Sequence, residues 1–412
     1  MTAADSVRVD STRARPAIDA ASLMSDASDL LSDVVDLRRK IHAEPEIGLD
    51  LPKTQAALLD ALADLDLTVT TGTGLSSIVA TLEGDSEGPT FLLRADMDAL
   101  PMNEDSGLEF ASTHEGAMHA CGHDAHVAML YGAARLLHQR RNELRGTVKF
   151  LFQPGEEGFH GARYCIEEGA LEGPSVDAAF ALHITPNLAS GRLSTRPGAL
   201  MAAADEMTVT ITGKGGHASS PHLTRDPIPV AAEIVLALQS LITRSVNAFD
   251  PAVLTVARIS AGTTSNVIPE TATIEGTLRT VSERTRKQVQ DGVHRVAHHV
   301  AAAHDCEADV QLKLGYPVTI NDPEFVAFAR GVFADLIGEE QVVDMASPVM
   351  GAEDWSYVLQ QVPGAMAFLG VCPSGVRPGQ AHACHSNRMM LDEEAMTTGM
   401  ATHAAMALSY LS

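Results

Sequence analysis

Apolar positions recur along this chain with two distinct periods. Over Leu30–His42 a helical spacing puts Leu31, Val34, Val35 and Leu37 on one side, and Pro45 stops the helix they predict. Thr54–Leu65 reads as a second helix. Ser77–Glu83 and Thr90–Arg94 read as strands, the second running into the loop Ala95-Asp96-Met97-Asp98. A helix is expected over Ala125–Gln139, followed by strands over Gly146–Gln153 and Ala178–His183. Helices and strands mixed in this way predict an α/β domain.

After Pro197-Gly198 the period changes. Glu206–Gly213 alternates Met207, Val209 and Ile211 with Thr208, Thr210 and Thr212, as a half-buried strand does. Asp226–Arg244 follows as a long amphipathic helix, Val253–Ala261 and Thr271–Thr280 as strands, Glu283–Ala303 as a helix and Ala308–Leu314 as a last strand. The order βαββαβ predicts a ferredoxin-like sandwich over residues 200–314. From Tyr316 the mixed pattern returns. The expected organisation is therefore one α/β domain, 26–199 plus 315–412, interrupted by a smaller inserted one. Residues 1–25 are polar and read as a flexible N-terminal extension.

Composition narrows the function classes. With 412 residues and 45% apolar side chains, the chain can bury a large core. A formal net charge of -24 argues against nucleic acid or an anionic membrane as partner. The five cysteines are odd in number and widely spread, so a reducing, cytoplasmic location is expected rather than a disulfide framework. No secretory signal is legible in the first thirty residues, and no uninterrupted apolar run reaches the roughly 18 residues of a membrane span.

The candidate chemistry lies where strands end and helices begin, the position open α/β sheets give their sites. Cys121 and His123 flank Gly122 just before a helix, whose N-terminus favours the thiolate a metal needs. Glu156-Glu157 follow a buried strand and Pro154, between Gly155 and Gly158. Neighbouring carboxylates on a turn can point apart, one toward a metal and one toward a reacting water. His183 ends an apolar strand. His385 competes with His382 and Cys384 for one assignment, and spacing does not choose among them. Each feature alone has a plainer reading: a buried thiol, a solvated acid pair, a hydrogen-bonded core histidine.

Together with further motifs they resemble the M20 metallopeptidase family, in its amidohydrolase branch of hippurate, N-acyl-amino-acid and auxin-conjugate hydrolases. The resemblance runs from about residue 30 to 412. It is carried by Arg39-Lys40-Ile41-His42 with Pro45-Glu46, Arg94-Ala95-Asp96-Met97-Asp98-Ala99-Leu100-Pro101, Cys121-Gly122-His123-Asp124 and Pro154-Gly155-Glu156-Glu157-Gly158. Gly213-Lys214-Gly215-Gly216-His217, Pro221-His222 before Asp226-Pro227, Asn266-Val267-Ile268-Pro269 and Gly276-Thr277-Leu278-Arg279-Thr280 complete it.

The resemblance implies a two-metal aminopeptidase-like catalytic domain with an inserted ferredoxin-like dimerisation and lid domain. It implies two divalent ions per subunit (zinc, manganese, cobalt or nickel) on Cys121, His123, Glu157, His183 and His385, with Cys121 bridging. Glu156 takes the general-base position. Asp96 and Asp98 are left to orient the ligands. His217 falls where the family reaches into the partner subunit's site to steady an oxyanion, and Asn266 and Arg279 where the lid meets substrate. The implied assembly is a homodimer or a dimer of dimers, and the implied reaction is hydrolysis of the amide of an N-acyl amino acid. A dipeptidase or carboxypeptidase on the same centre is the alternative. A metal-binding scaffold without catalysis leaves Glu156 unexplained, and a Cys121 nucleophile leaves the glutamate pair and His183 unexplained. The chain departs from the family at His385-Ser386-Asn387, where His-x-Pro is common, and at Phe159-His160, where small residues are common.

Overall fold

The computed structural model describes residues 18–412. The first segment carries α1 (Ala20–Ala43), α2 (Pro52–Leu62), β1 (Thr68–Thr71), β2 (Ile78–Glu83), β3 (Ser86–Asp96), α3 (His123–Gln139), β4 (Arg145–Gln153), α4 (Gly161–Glu167), β5 (Ala178–Thr185) and β6 (Leu193–Thr195). The inserted segment carries β7 (Gly198–Met201), β8 (Ala203–Thr212), β9 (Gly216–His217), α5 (Pro227–Ser245), β10 (Ala252–Ala261), β11 (Val267–Ile268), β12 (Thr271–Thr280), α6 (Glu283–Ala303), β13 (Glu307–Leu314) and β14 (Thr319–Asn321). The return carries α7 (Pro323–Ile337), β15 (Val342–Asp344), α8 (Ser356–Leu359), β16 (Gly364–Gly370) and α9 (Ala395–Tyr410).

Two compact units result. One holds residues up to Gly198, Ile320–Ala346 and Tyr357–Ser412; the other holds Ala199–Thr319 and Ser347–Ser356. The sequence reading places 347–356 in the first unit. Backbone pairing decides otherwise: the Ala202 N–H donates to the carbonyls of Val349 and Gly351, and the Val349 N–H to Leu200. Of the expected extension, 1–17 lie outside the described residues. The rest is largely helix, because the Asp19 carboxylate accepts from the Ser22 N–H and caps α1 at Ala20.

The first unit is built on an eight-stranded sheet ordered β1-β2-β4-β3-β5-β16-β6-β15. Its centre is parallel: β3 pairs with β4 and β5, and β5 with β16. Strands buried on both faces read as continuous apolar runs, as Phe91, Leu92 and Leu93 do. Helices α3 and α9 are buried nearly all round. They cross closely because Gly132 faces Met400 and Gly399 faces Met129, where an added Cβ falls about 2 Å from the sulfur.

The second unit has its own core. Its antiparallel sheet runs β10-β12-β8-β13, the ferredoxin-like order, with α5 and α6 packed on it. Asp226 caps α5 and Ser282 caps α6 through their side chains. By length and composition α5 is apolar enough to cross a membrane, yet its Val230, Ala231, Ile234, Leu238 and Leu241 are buried in this core.

Candidate metal centre

Strands β3, β4 and β5 lie side by side and run the same way, so the segments leaving their C-terminal ends converge. Asp96 ends β3 and Asp98 follows in the loop. Gly122 precedes α3 with φ 82°, and a Cβ there meets the Ile184 side chain at 2.6 Å. Only glycine serves at that turn, and it sets Cys121 and His123 on either side of the helix start. Beyond β4, Gly155 at φ 74° turns the chain so that Glu156 and Glu157 follow at once. His183 lies near the end of β5. His385 has φ 70°, and its N–H donates to the Ala120 carbonyl at 2.8 Å, fixing that loop against the Cys121 segment.

These residues bring their donor atoms together. Cys121, His123 and His183 form one close group, and Cys121, Glu157 and His385 another, so the Cys121 sulfur belongs to both. His183 Nε2 is 3.4 Å from Cys121 Sγ, and His385 Nε2 is 3.1 Å from Glu157 Oε1. His123, Glu156 and Glu157 form a third group. In the last loop His382 and His385 are both exposed, Cys384 leans toward Cys121 with Sγ 4.0 Å from its carbonyl oxygen, and His385 reaches Glu157.

The donors are oriented from behind. His123 Nδ1–H donates to the Asp98 carbonyl at 2.8 Å, which leaves Nε2 buried without a hydrogen-bond partner. The Asp98 carboxylate accepts from the Glu156 N–H at 2.8 Å and from the Glu157 N–H at 2.9 Å. His183 Nδ1–H donates to the Ile184 carbonyl at 2.6 Å. Each histidine therefore presents Nε2.

The electrostatics call for a cation. Burial opposes charge on His123, but the carboxylates of Asp96, Asp98 and Glu157 raise its pKa to about 10. Burial likewise opposes charge on Asp96, and Arg94, His123 and His126 hold its carboxyl well below the usual range. Hydrogen bonding with Cys384, burial, and the nearby Glu157 and Glu156 push the Cys121 thiol up. A cation at the sulfur would favour its thiolate. Sulfur, imidazole and carboxylate donors, with the buried His123 Nε2 lacking a hydrogen-bond partner, fit a divalent metal.

The motif residues Asp124 and Glu46 serve structure. Asp124 turns away and accepts from Arg38 Nε at 2.9 Å and His42 Nδ1 at 2.8 Å, tying α1 to α3. Glu46 caps α2, accepting from Thr54 N at 2.8 Å. His160, with φ 58°, meets the Tyr357 hydroxyl at 2.9 Å, and Phe159 is 42% exposed. His217, Asn266 and Arg279 lie in the second unit. His217 is exposed on the β9–β11 ribbon, and the Ala218 N–H donates to the Asn266 carbonyl beside it. Arg279 is half-buried on β12 and makes no ion pair among the described residues. Sequence reasoning did not assign His126, although it stands three residues after His123 on the same helix.

Residues 92–409 match peptidase family M20/M25/M40. The chain belongs to this family. It is 40% identical over 382 residues to IAA-amino acid hydrolase ILR1-like 2 of Arabidopsis thaliana, covering 92% of this chain and 85% of that protein. It is 40% identical over 343 residues to an N-acetyl-L-cysteine deacetylase of Bacillus subtilis, covering 83% and 81%. Thermostable carboxypeptidase 2 of Saccharolobus solfataricus is 36% identical over 392 residues, covering 94% and 98%. Among solved structures, the Bacillus subtilis YXEP protein, a dinuclear metal-binding peptidase of the M20 family, superposes with a TM-score of 0.81 at 34% identity over 93% of this chain and 99% of that one. This M20 chain is a hydrolase with a metal-binding donor cluster.

Proposed function

We propose that this protein hydrolyses the amide bond of N-acyl amino acids, releasing a carboxylic acid and a free amino acid, with two divalent ions per subunit. The carrying observation is the pair of donor groups that share Cys121, with Glu156 beside Glu157 and the backbone of both pinned by Asp98. The names of the hydrolase and deacetylase relatives support the substrate class. Zinc, manganese, cobalt and nickel all suit this donor set.

Ions bound here supply Lewis-acid activation of a water and of the amide carbonyl. Glu156 takes the proton of the attacking water and delivers it to the leaving nitrogen. The Asp98 carboxylate holds Glu156 in place for both transfers. His217 of the partner subunit donates to the oxyanion, the Arg279 guanidinium grips the amino-acid carboxylate, and Asn266 is a further lid contact to substrate. A homodimer through the inserted unit is supported by its exposed apolar side chains, Ile228 and Leu236 on α5 and Val253 and Ile259 on the edge strand β10.

The carboxypeptidase name of one relative favours a second reading, cleavage of peptides on the same centre. The deciding experiment is a panel of N-acetyl, N-benzoyl, IAA and long-chain N-acyl amino acids, with N-blocked and free dipeptides, assayed after loading each of the four metals. Turnover of the N-acyl amino acids above the dipeptides is expected. Activity confined to peptides overturns the substrate class, and activity unaffected by metal removal overturns the metal centre.

A further inference from the structure

His126 is buried in the first turn of α3 and has both ring nitrogens engaged. The Ile184 backbone N–H donates to His126 Nε2 at 2.8 Å, and His126 Nδ1 lies 2.5 Å from Asp96 Oδ1. A backbone N–H can only donate, so Nε2 carries no proton and Nδ1–H must donate to Asp96. The tautomer is therefore set by partners on both sides.

What His126 holds is the residue on which His183 depends. The pairing of β3 with β5 runs from Phe91 and Ala178 to Arg94 and Ala181. Beyond that register the Ile184 N–H is met by His126, while the Ile184 carbonyl accepts from His183 Nδ1. With Nδ1 occupied, His183 turns Nε2 toward the Cys121 sulfur, 3.4 Å away. On its other side His126 holds Asp96, whose second oxygen accepts from Arg94 Nη1 at 2.8 Å and lies 3.4 Å from His123 Nε2. Asp96, His123 and His126 also sit close enough to suggest a cation site of their own. Two spent ring nitrogens on His126 exclude it.

We infer that His126 is a positioning residue: its imidazole fixes residue 184, and thereby presents Nε2 of His183 to the centre that Cys121 shares. This rests on the metal-binding reading proposed above. The two nitrogens can be tested apart. In His126→Gln the terminal amide reaches the Nε2 position and still accepts from Ile184. In His126→Asn the amide reaches only the Nδ1 position, so Asp96 keeps its donor and Ile184 loses its acceptor. His126→Leu loses both.

The test loads the full chain with cobalt(II), reading ions per chain by mass spectrometry, affinity by chelator competition, the thiolate-to-cobalt and visible absorption bands, and the melting temperature. His126→Leu and His126→Asn are expected to weaken one cobalt site about 10- to 100-fold and to shift its visible bands, with His126→Gln restoring most of both. In a His183→Ala background, His126→Leu should weaken binding no further. Wild-type affinity and bands in His126→Leu overturn the inference. So does an equal loss in the His183→Ala background, or a His126→Gln protein as impaired and as unstable as His126→Leu, which marks a merely structural role. A wild-type protein that takes up no cobalt overturns the metal reading itself, which is distinct from a loaded wild type matched by His126→Leu.

Discussion

Asp98→Ala is the most exacting perturbation of this centre. Asp98 is 1% exposed, and its two carboxylate oxygens accept from the Glu156 N–H at 2.8 Å and the Glu157 N–H at 2.9 Å. A hydrogen bond to a charged group contributes about 1.5–3 kcal/mol, so two set an upper bound of about 3–6 kcal/mol. Relaxation lowers that bound. Gly155 and Gly158, both at positive φ, let the Glu156-Glu157 turn rotate toward other partners, and removing one of four neighbouring carboxylates relieves repulsion. A net loss of about 3 kcal/mol is expected, or roughly 6–12 °C in melting temperature at about 2–4 °C per kcal/mol. Turnover should fall further, by roughly 100-fold or more, because a general base displaced by about 1 Å loses that much. Asp98→Asn keeps one acceptor oxygen but sets its amide N–H₂ against the second backbone N–H, so it should lie between wild type and Asp98→Ala. The assay is thermal melting with and without metal, ions per chain, and kcat and KM on an N-acetyl amino acid. Wild-type kcat in Asp98→Ala at full metal content would refute the reasoning. A loss confined to KM would also refute it, since a displaced base acts on the chemical step.

Glu156→Gln should keep its metals and lose nearly all turnover; parallel loss of metal and activity would make Glu156 a ligand instead. Cys121 should never carry an acyl group, so mass spectrometry of the protein quenched during turnover should find Cys121 unmodified, and a trapped thioester there would contradict the hydrolytic scheme. Mixed dimers of His217→Ala and Glu156→Gln proteins, each nearly inactive, should regain about one working site per heterodimer; no recovery after confirmed subunit exchange would confine His217 to its own chain. His403 is a buried neutral imidazole whose pKa burial lowers from 6.5 to about 3. The unfolded chain therefore binds a proton that the folded chain refuses between about pH 6.5 and pH 3, and stability falls as pH drops through that window. Two pH units below 6.5 this costs about 2.7 kcal/mol at 1.36 kcal/mol per unit, so denaturant melts at pH 7 and pH 4.5 should show His403→Leu losing about that much less than wild type. Identical pH slopes for the two proteins would show that His403 is protonated at no cost.

Local features carried much of this protein in the sequence itself. Period-two alternation marks Met207, Val209 and Ile211 as the inner side of β8, and the strands Thr271–Thr280 and helix Glu283–Ala303 follow from side-chain spacing that neighbouring residues alone set. The Cys121-Gly122-His123 and Glu156-Glu157 motifs are legible for the same reason: each is one turn of chain. Element ends were less legible, since α1 reaches back to Ala20 through a cap at Asp19, and β3 reaches Asp96 through pairing with β4. What the sequence left open depends on contacts between residues far apart in the chain. The sheet order β4-β3-β5-β16 brings the ends of β3, β4 and β5 together, which lets one carboxylate of Asp98 hold two glutamate N–H groups 58 and 59 residues away. A backbone bond to Ala120 and a left-handed φ are what set His385 against Glu157. The role of His126 is set by the Ile184 N–H, 58 residues downstream, where β5 passes beyond its pairing with β3. Spacing along a chain records which side chains share a face; which faces meet, and which nitrogen of an imidazole is left to bind, is decided only when the strands are laid side by side.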